Sequence, residues 1–173
     1  MRRILFGMAA LLASAVVGAA GSIIRWERIE GVTNDAAGTE VAGIVASSRG
    51  VTVGSGKAMF NLETGFVSFE VKGIAYDRHY PETERPIGTY PDGYRMVTLV
   101  CDSSGIFGEP VILDTTAFWV AGGNGSYRGF IPVPVPPVCR DRPDQIVLLL
   151  RIPLGPGTLS GVFLAYGAAP SIQ

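Results

Sequence analysis

The chain has 173 residues, 47% hydrophobic and 17% charged, enough for one buried core and too few for two ordinary domains beside a targeting segment. With 14 basic against 15 acidic residues and no basic cluster, it has the wrong sign and patterning for nucleic acid. Abundant glycine (23) and proline (12) without a repeat favour turns and short strands over long helices, so composition points to an all-β chain.

Residues 1–20, MRRILFGMAALLASAVVGAA, set two arginines before an apolar run that ends in small residues, the pattern of a secretory signal cut after Ala19 or Ala20. An uncleaved anchor is the alternative, since an apolar run of about 17 residues is near the lower limit for spanning. Losing Arg2 and Arg3 with the signal leaves 12 basic side chains against 15 acidic ones. The expected product is mildly acidic, secreted or periplasmic, and free of the membrane. Export places Cys101 and Cys139 in an oxidising compartment, where an even pair normally forms a bridge; free thiols or a metal pair are the competing reading.

The mature region then reads as a series of strands. SIIRWERIEG and EVAGIVAS supply one or two, and the glycine-rich SRGVTVGSG connects them to a hairpin. In GSGKAMFNLETGFVSFEVKG, Ala58, Phe60 and Leu62 share a face with Val67, Phe69 and Val71, while Lys57, Asn61, Ser68, Glu70 and Lys72 fall on the other. Period-two alternation in both arms predicts one buried and one wet face, and Gly65 stands where the hairpin turn needs a positive φ. A long break, AYDRHYPETERPIGTYPDG over 75–93, exceeds the usual connection and reads as a functional loop or an ornament.

Strand texture resumes in YRMVTLVC and VILDTTAFWV, and AGGNG reverses the chain into SYRGFIPV. PVPVPPVC is expected to be extended as far as Cys139. QIVLLLRIP is apolar almost throughout, which predicts a central strand covered on both faces, and the turn LGPG leads to a last strand in TLSGVFLAY. Residues 21–173 are therefore expected to form a single antiparallel β-sandwich with one disulfide, a closed barrel being the nearest rival.

Few residues carry a chemical signal. His79, with Asp77, Glu82 and Glu84, has ligand types for zinc or calcium but no spacing that a metal loop requires, so no metal or other cofactor is expected. Every catalytic triad would need His79, the one histidine, and no G-x-S-x-G elbow is present, so no catalytic residue is assigned. Asp114 and Glu70 read as surface charges, and Trp26 and Trp119 as core or rim packing. Tyr76, Tyr80, Tyr90 and Tyr94, in or beside the long loop, suit either a stacking platform for sugar or protein, or the pinning of that loop to the sheet.

Several blocks, among them WERIEG, AGIVA, GKAMFNLETGFVSFEVKGIA, VTLVC, VILDT, PPVC and GTLSGVFLAYGA, resemble an uncharacterised family of secreted bacterial proteins, over nearly all of the mature chain. The resemblance implies export, β architecture and partnership between Cys101 and Cys139. The hairpin is also similar to the opening of chordin-type repeats, β-rich extracellular modules that carry a histidine pair after it; here His79 stands alone, and no ligand role carries over. The function expected is a non-enzymatic binding or structural module of the envelope or medium, whose partner is a protein or polysaccharide. Its contact surface is expected in the 75–93 loop, through Tyr76, Asp77, His79, Tyr80, Glu82 and Tyr90. The alternative is an extracellular hydrolase acting on envelope polymer or carbohydrate through carboxylates.

Overall fold

The alternation in the central hairpin is resolved by burial. A computed structural model describes residues 22–77, 92–106, 108–153 and 161–173; the signal assigned to 1–20 and the turn LGPG lie outside them. In chain order the strands are β1 (Ile23–Gly31), β2 (Glu40–Val41), β3 (Ile44–Val45), β4 (Val51–Thr52), β5 (Ser55–Asn61), β6 (Phe66–Lys72) and β7 (Ala75–Tyr76). They continue with β8 (Gly93–Cys101), β9 (Val111–Asp114), β10 (Phe118–Val120), β11 (Gly125–Phe130), β12 (Val147–Arg151) and β13 (Phe163–Ile172). β5 and β6 pair antiparallel, with Ala58 opposite Phe69 and Phe60 opposite Val67, and all four side chains are buried. The turn between them is built as its residues dictate: Asn61 Oδ1 accepts the N–H groups of Glu63 and Thr64, and Gly65 takes φ +73°.

Nine strands form one antiparallel sheet in the order β10-β8-β12-β13-β1-β5-β6-β11, with β9 beside β8. Its two end strands, β10 and β11, are consecutive in the chain. They join through Gly122 and Gly123, where Ala121 and Asn124 exchange backbone hydrogen bonds at 3.0 Å. The sheet thus curls until its ends meet, which leaves few open edges. The all-β, antiparallel, singly bridged chain expected from the sequence is what forms; one curled sheet is nearer to a barrel than to the two separate layers of a sandwich. Trp26, Phe60, Phe69, Leu99, Leu148 and Leu150 fill the interior, each with no more than 1% of its surface exposed.

A second, smaller apolar cluster lies on the outside of the same sheet. Val32, Ile44 and Ala46, from the segment leaving β1, cover Val100, Leu149 and Phe163. β12 is therefore buried on both faces, Leu148 and Leu150 inward and Leu149 outward, as its unbroken apolar text predicts.

Cys101, at the end of β8, is bridged to Cys139 with Cα atoms 5.1 Å apart. The proline-rich approach bends at Pro132 and Val133, is extended at Pro136 (φ −64°, ψ 152°) and then departs from the extended form expected up to Cys139. Pro137–Asp141 is a short helix, α1, that carries Cys139. Pro137 opens it because a first-turn N–H has no intrahelical partner, so its absence costs nothing there. With Ile131 and Val135, the bridge packs into the core cluster near the β5–β6 turn: a Cβ on Gly65 would lie 3.0 Å from Ile131 and 3.4 Å from Val135.

Asp114 is not the plain surface charge its sequence context suggests. It lies 3.2 Å from the guanidinium of Arg151, which is 1% exposed, and it accepts a hydrogen bond from Thr98 on β8. Antiparallel pairing sets Thr98 opposite both Asp114 and Leu149, two residues from Arg151, so register alone assembles the three polar groups.

Candidate ligand-binding groove

Of the six residues assigned to a contact loop, Tyr76 and Asp77 are described, and His79, Tyr80, Glu82 and Tyr90 lie outside the described residues. Tyr76 belongs to β7 and packs into the core with 8% of its surface exposed, beneath the guanidinium of Arg49 at 5.7 Å. Asp77 accepts a hydrogen bond from Asn34 Nδ2 at 3.0 Å, and its N–H donates to the carbonyl of Gly50. Both residues fasten the 33–50 segment to the sheet.

Both roots of the loop meet the β10–β11 turn. Gly73 N–H donates to Asn124 Oδ1, Ile74 N–H to the Gly123 carbonyl, and Gly122 N–H to Asp92 Oδ1 at 2.8 Å. Gly73, Ile74 and Asp92 are thus gathered at one turn, next to Trp119 and Asn124.

From that turn an open groove of about 750 Å³ runs over the outer face of β1, β5, β6 and β11. Strand parity produces its lining: every inward residue of these strands has an outward neighbour, and along the groove the outward ones are polar except Met59. Arg25, Met59, Ser68 and Arg128 stand in one row across the four strands, each directly opposite the next. Lys57, Glu70 and Ser126 form the adjacent row, with Glu27 at its β1 end. Three strand spacings put the Cα atoms of the two arginines about 14 Å apart along the sheet.

Both lysines of the chain, Lys57 and Lys72, line this groove, with Arg25 and Arg128, against the two carboxylates Glu27 and Glu70. Glu70 accepts from Lys72 at 2.7 Å and lies 3.8 Å from Lys57. Hydrogen bonding by Lys72, then its charge, hold the Glu70 carboxyl below its usual value; the same contact raises Lys72. Arg25 donates through Nε to Gln173, and among the described residues neither Arg25 nor Arg128 enters an ion pair.

The turn end of the groove carries exposed aromatic surface. Trp119, 57% exposed, meets Tyr94, 60% exposed, edge to face with ring centroids 5.1 Å apart. Their backbones are opposite each other in the β8–β10 pair, which fixes the two rings as a unit. Trp26, by contrast, is wholly buried. The sequence identifies the wet face of β5 and β6 but not the groove, because nothing local signals that β1 and β11 flank that hairpin. The outward parity of Arg25 and Arg128 is the one signal it offers.

Among the described residues no group of three or more histidine, cysteine, aspartate or glutamate side chains is arranged to hold a metal ion, and no helix is long and apolar enough to cross a membrane. No family model, no curated protein and no solved structure matches the chain.

Proposed function

We propose that this chain is an exported, non-enzymatic binding module of the cell envelope or its surroundings, and that the groove over β1, β5, β6 and β11 is its contact surface. The observation that carries this reading is the conjunction of a wide polar groove with a rigid, exposed Trp119–Tyr94 pair at its end. A buried core accounts for neither. Exposed aromatic rings beside arginines are the side chains that dominate recognition surfaces. Export is supported by the signal pattern of residues 1–20 and by the Cys101–Cys139 bridge, which an oxidising compartment preserves.

The hydrolase alternative gains little from the groove. A glycosidase needs a carboxylic acid held protonated near neutral pH, and Glu70 is shifted the opposite way by Lys72. The test is a titration of ¹⁵N-labelled mature chain with an envelope polysaccharide extract, beside an assay for newly released reducing ends. The proposal expects shifts confined to β1, β5, β6, β11 and residues 92–94 and 119, with no release. Shifts centred on α1 instead, or release of reducing ends, overturn it.

A further inference from the structure

We propose, building on the binding reading above, that the groove recognises a polyanionic polysaccharide, a sugar chain bearing carboxylate or sulfate groups at regular intervals. The mature chain is acidic overall, yet the groove gathers Arg25, Lys57, Lys72 and Arg128 against only Glu27 and Glu70. A basic groove on an acidic body is a local arrangement, not a product of composition, and it is complementary to a negative ligand.

The row Arg25–Met59–Ser68–Arg128 gives this complementarity a spacing. Two arginines whose Cα atoms are about 14 Å apart along the sheet flank a neutral floor of one thioether and one hydroxyl. A polymer with periodic anions spans such a pair with two of its charges, and each planar guanidinium binds a carboxylate or sulfate through two parallel hydrogen bonds. Lys57 and Lys72 share Glu70, whereas among the described residues neither arginine enters an ion pair, and Arg25 keeps its two Nη groups beyond the Nε bond to Gln173. Trp119 lines the same groove and offers the flat apolar face on which the C–H side of a pyranose ring rests. A polypeptide satisfies the charges but has no repeating ring to match this exposed indole, which favours the glycan.

The experiment uses the mature chain, residues 21–173, in isothermal titration at low salt with four polymers. These are polygalacturonate, its fully methyl-esterified form, dextran sulfate and unmodified dextran. Binding is expected to polygalacturonate, dextran sulfate or both, with at least tenfold weaker affinity in 0.5 M salt, and no binding to the neutral forms. Which charged polymer binds identifies the anion. Arg25→Gln with Arg128→Gln is expected to weaken binding more than tenfold, and Trp119→Ala about tenfold, with the thermal midpoint unchanged because these side chains lie outside the core. If neither charged polymer binds, or if the double arginine variant binds as the parent does, the proposal is overturned. Equal binding of the acid and its methyl ester, lost in Trp119→Ala, overturns the anionic class while leaving the groove as the contact surface. Binding untouched by all three substitutions removes the groove reading as well.

Discussion

Removing the bridge by Cys101→Ala with Cys139→Ala has a magnitude set by its place in the chain. The two residues are 38 apart, and closing a loop of that size removes unfolded-state entropy worth about 4 kcal/mol in the chain-entropy account. Domains of this kind are stable by about 5 to 15 kcal/mol, so the bridge accounts for a quarter to most of the margin. Both cysteines are fully buried, and alanine avoids placing a hydroxyl in the core where serine would. With a urea slope of about 2 kcal/mol per molar, the unfolding midpoint is expected to fall by about 2 M. Urea titration followed by tryptophan fluorescence reads this directly, since Trp26 is wholly buried in the same core cluster as the bridge. Reduction of the parent protein supplies a control that keeps both sulfurs: it should give most of the same shift. A midpoint change under about 0.5 M in both cases would refute the reasoning, because the bridged segment would then have to be held as firmly by packing alone.

Three further outcomes are expected. Gly65→Ala places a side chain at φ +73° and a Cβ 3.0 Å from Ile131, so a loss of about 1 to 2 kcal/mol should appear as a lower urea midpoint with an unchanged slope. Asp114→Ala takes the carboxylate from a guanidinium that is 1% exposed; because Asp114 itself is 31% exposed, the expected loss is about 2 kcal/mol, below the range for a fully buried pair, and Asp114→Asn should recover part of it in thermal unfolding. Tyr166 donates to Glu30 at 2.9 Å, and that hydrogen bond, then burial, raise its phenol above the ordinary 10.0. A raised folded-state value means the unfolded chain releases its proton first, so the contribution is whole below pH 10 and is lost as pH climbs through the folded value. Urea midpoints between pH 9 and 12 should therefore fall more steeply for the parent than for Tyr166→Phe.

Features that depend on neighbours a few residues apart are legible in the sequence. In β5 and β6 the alternation decides which face is buried, since slipping by one residue would expose Phe60, Val67 and Phe69 together. The apolar run of β12 likewise announces cover on both sides, and a lone pair of cysteines behind a signal-like segment announces the bridge. The remainder rests on pairings between distant segments. That Arg25 and Arg128 end one row is set by β1 pairing with β5 and β11 with β6, and no local pattern encodes either choice. Asp114 looks solvated in the sequence because the cation that draws it in comes from the far end of VLLLR, where an arginine after three leucines reads as a strand leaving the core. The turn of helix at Pro137 is hidden because prolines suggest extension, although the first helical position tolerates one as well.

The division of the outer surface is the reason the proposed contact surface lies on one side. On β8, β12 and β13 the outward residues Val100, Leu149 and Phe163 are apolar and are capped by Val32, Ile44 and Ala46. Covering them is what the 33–50 segment does, and Asp77 and Asn34 help to hold it down. On β1, β5, β6 and β11 the outward residues that line the groove are charged or polar apart from Met59, so little hydrophobic gain would offset the cost of stripping water from them under a permanent lid. A face that is polar, wide and uncapped can exchange its water for a ligand only if the ligand supplies equivalent charge and hydrogen bonding. That requirement favours the proposed hydrated, anionic partner over an apolar one, and it ties the proposal to the strand parity of the curled sheet.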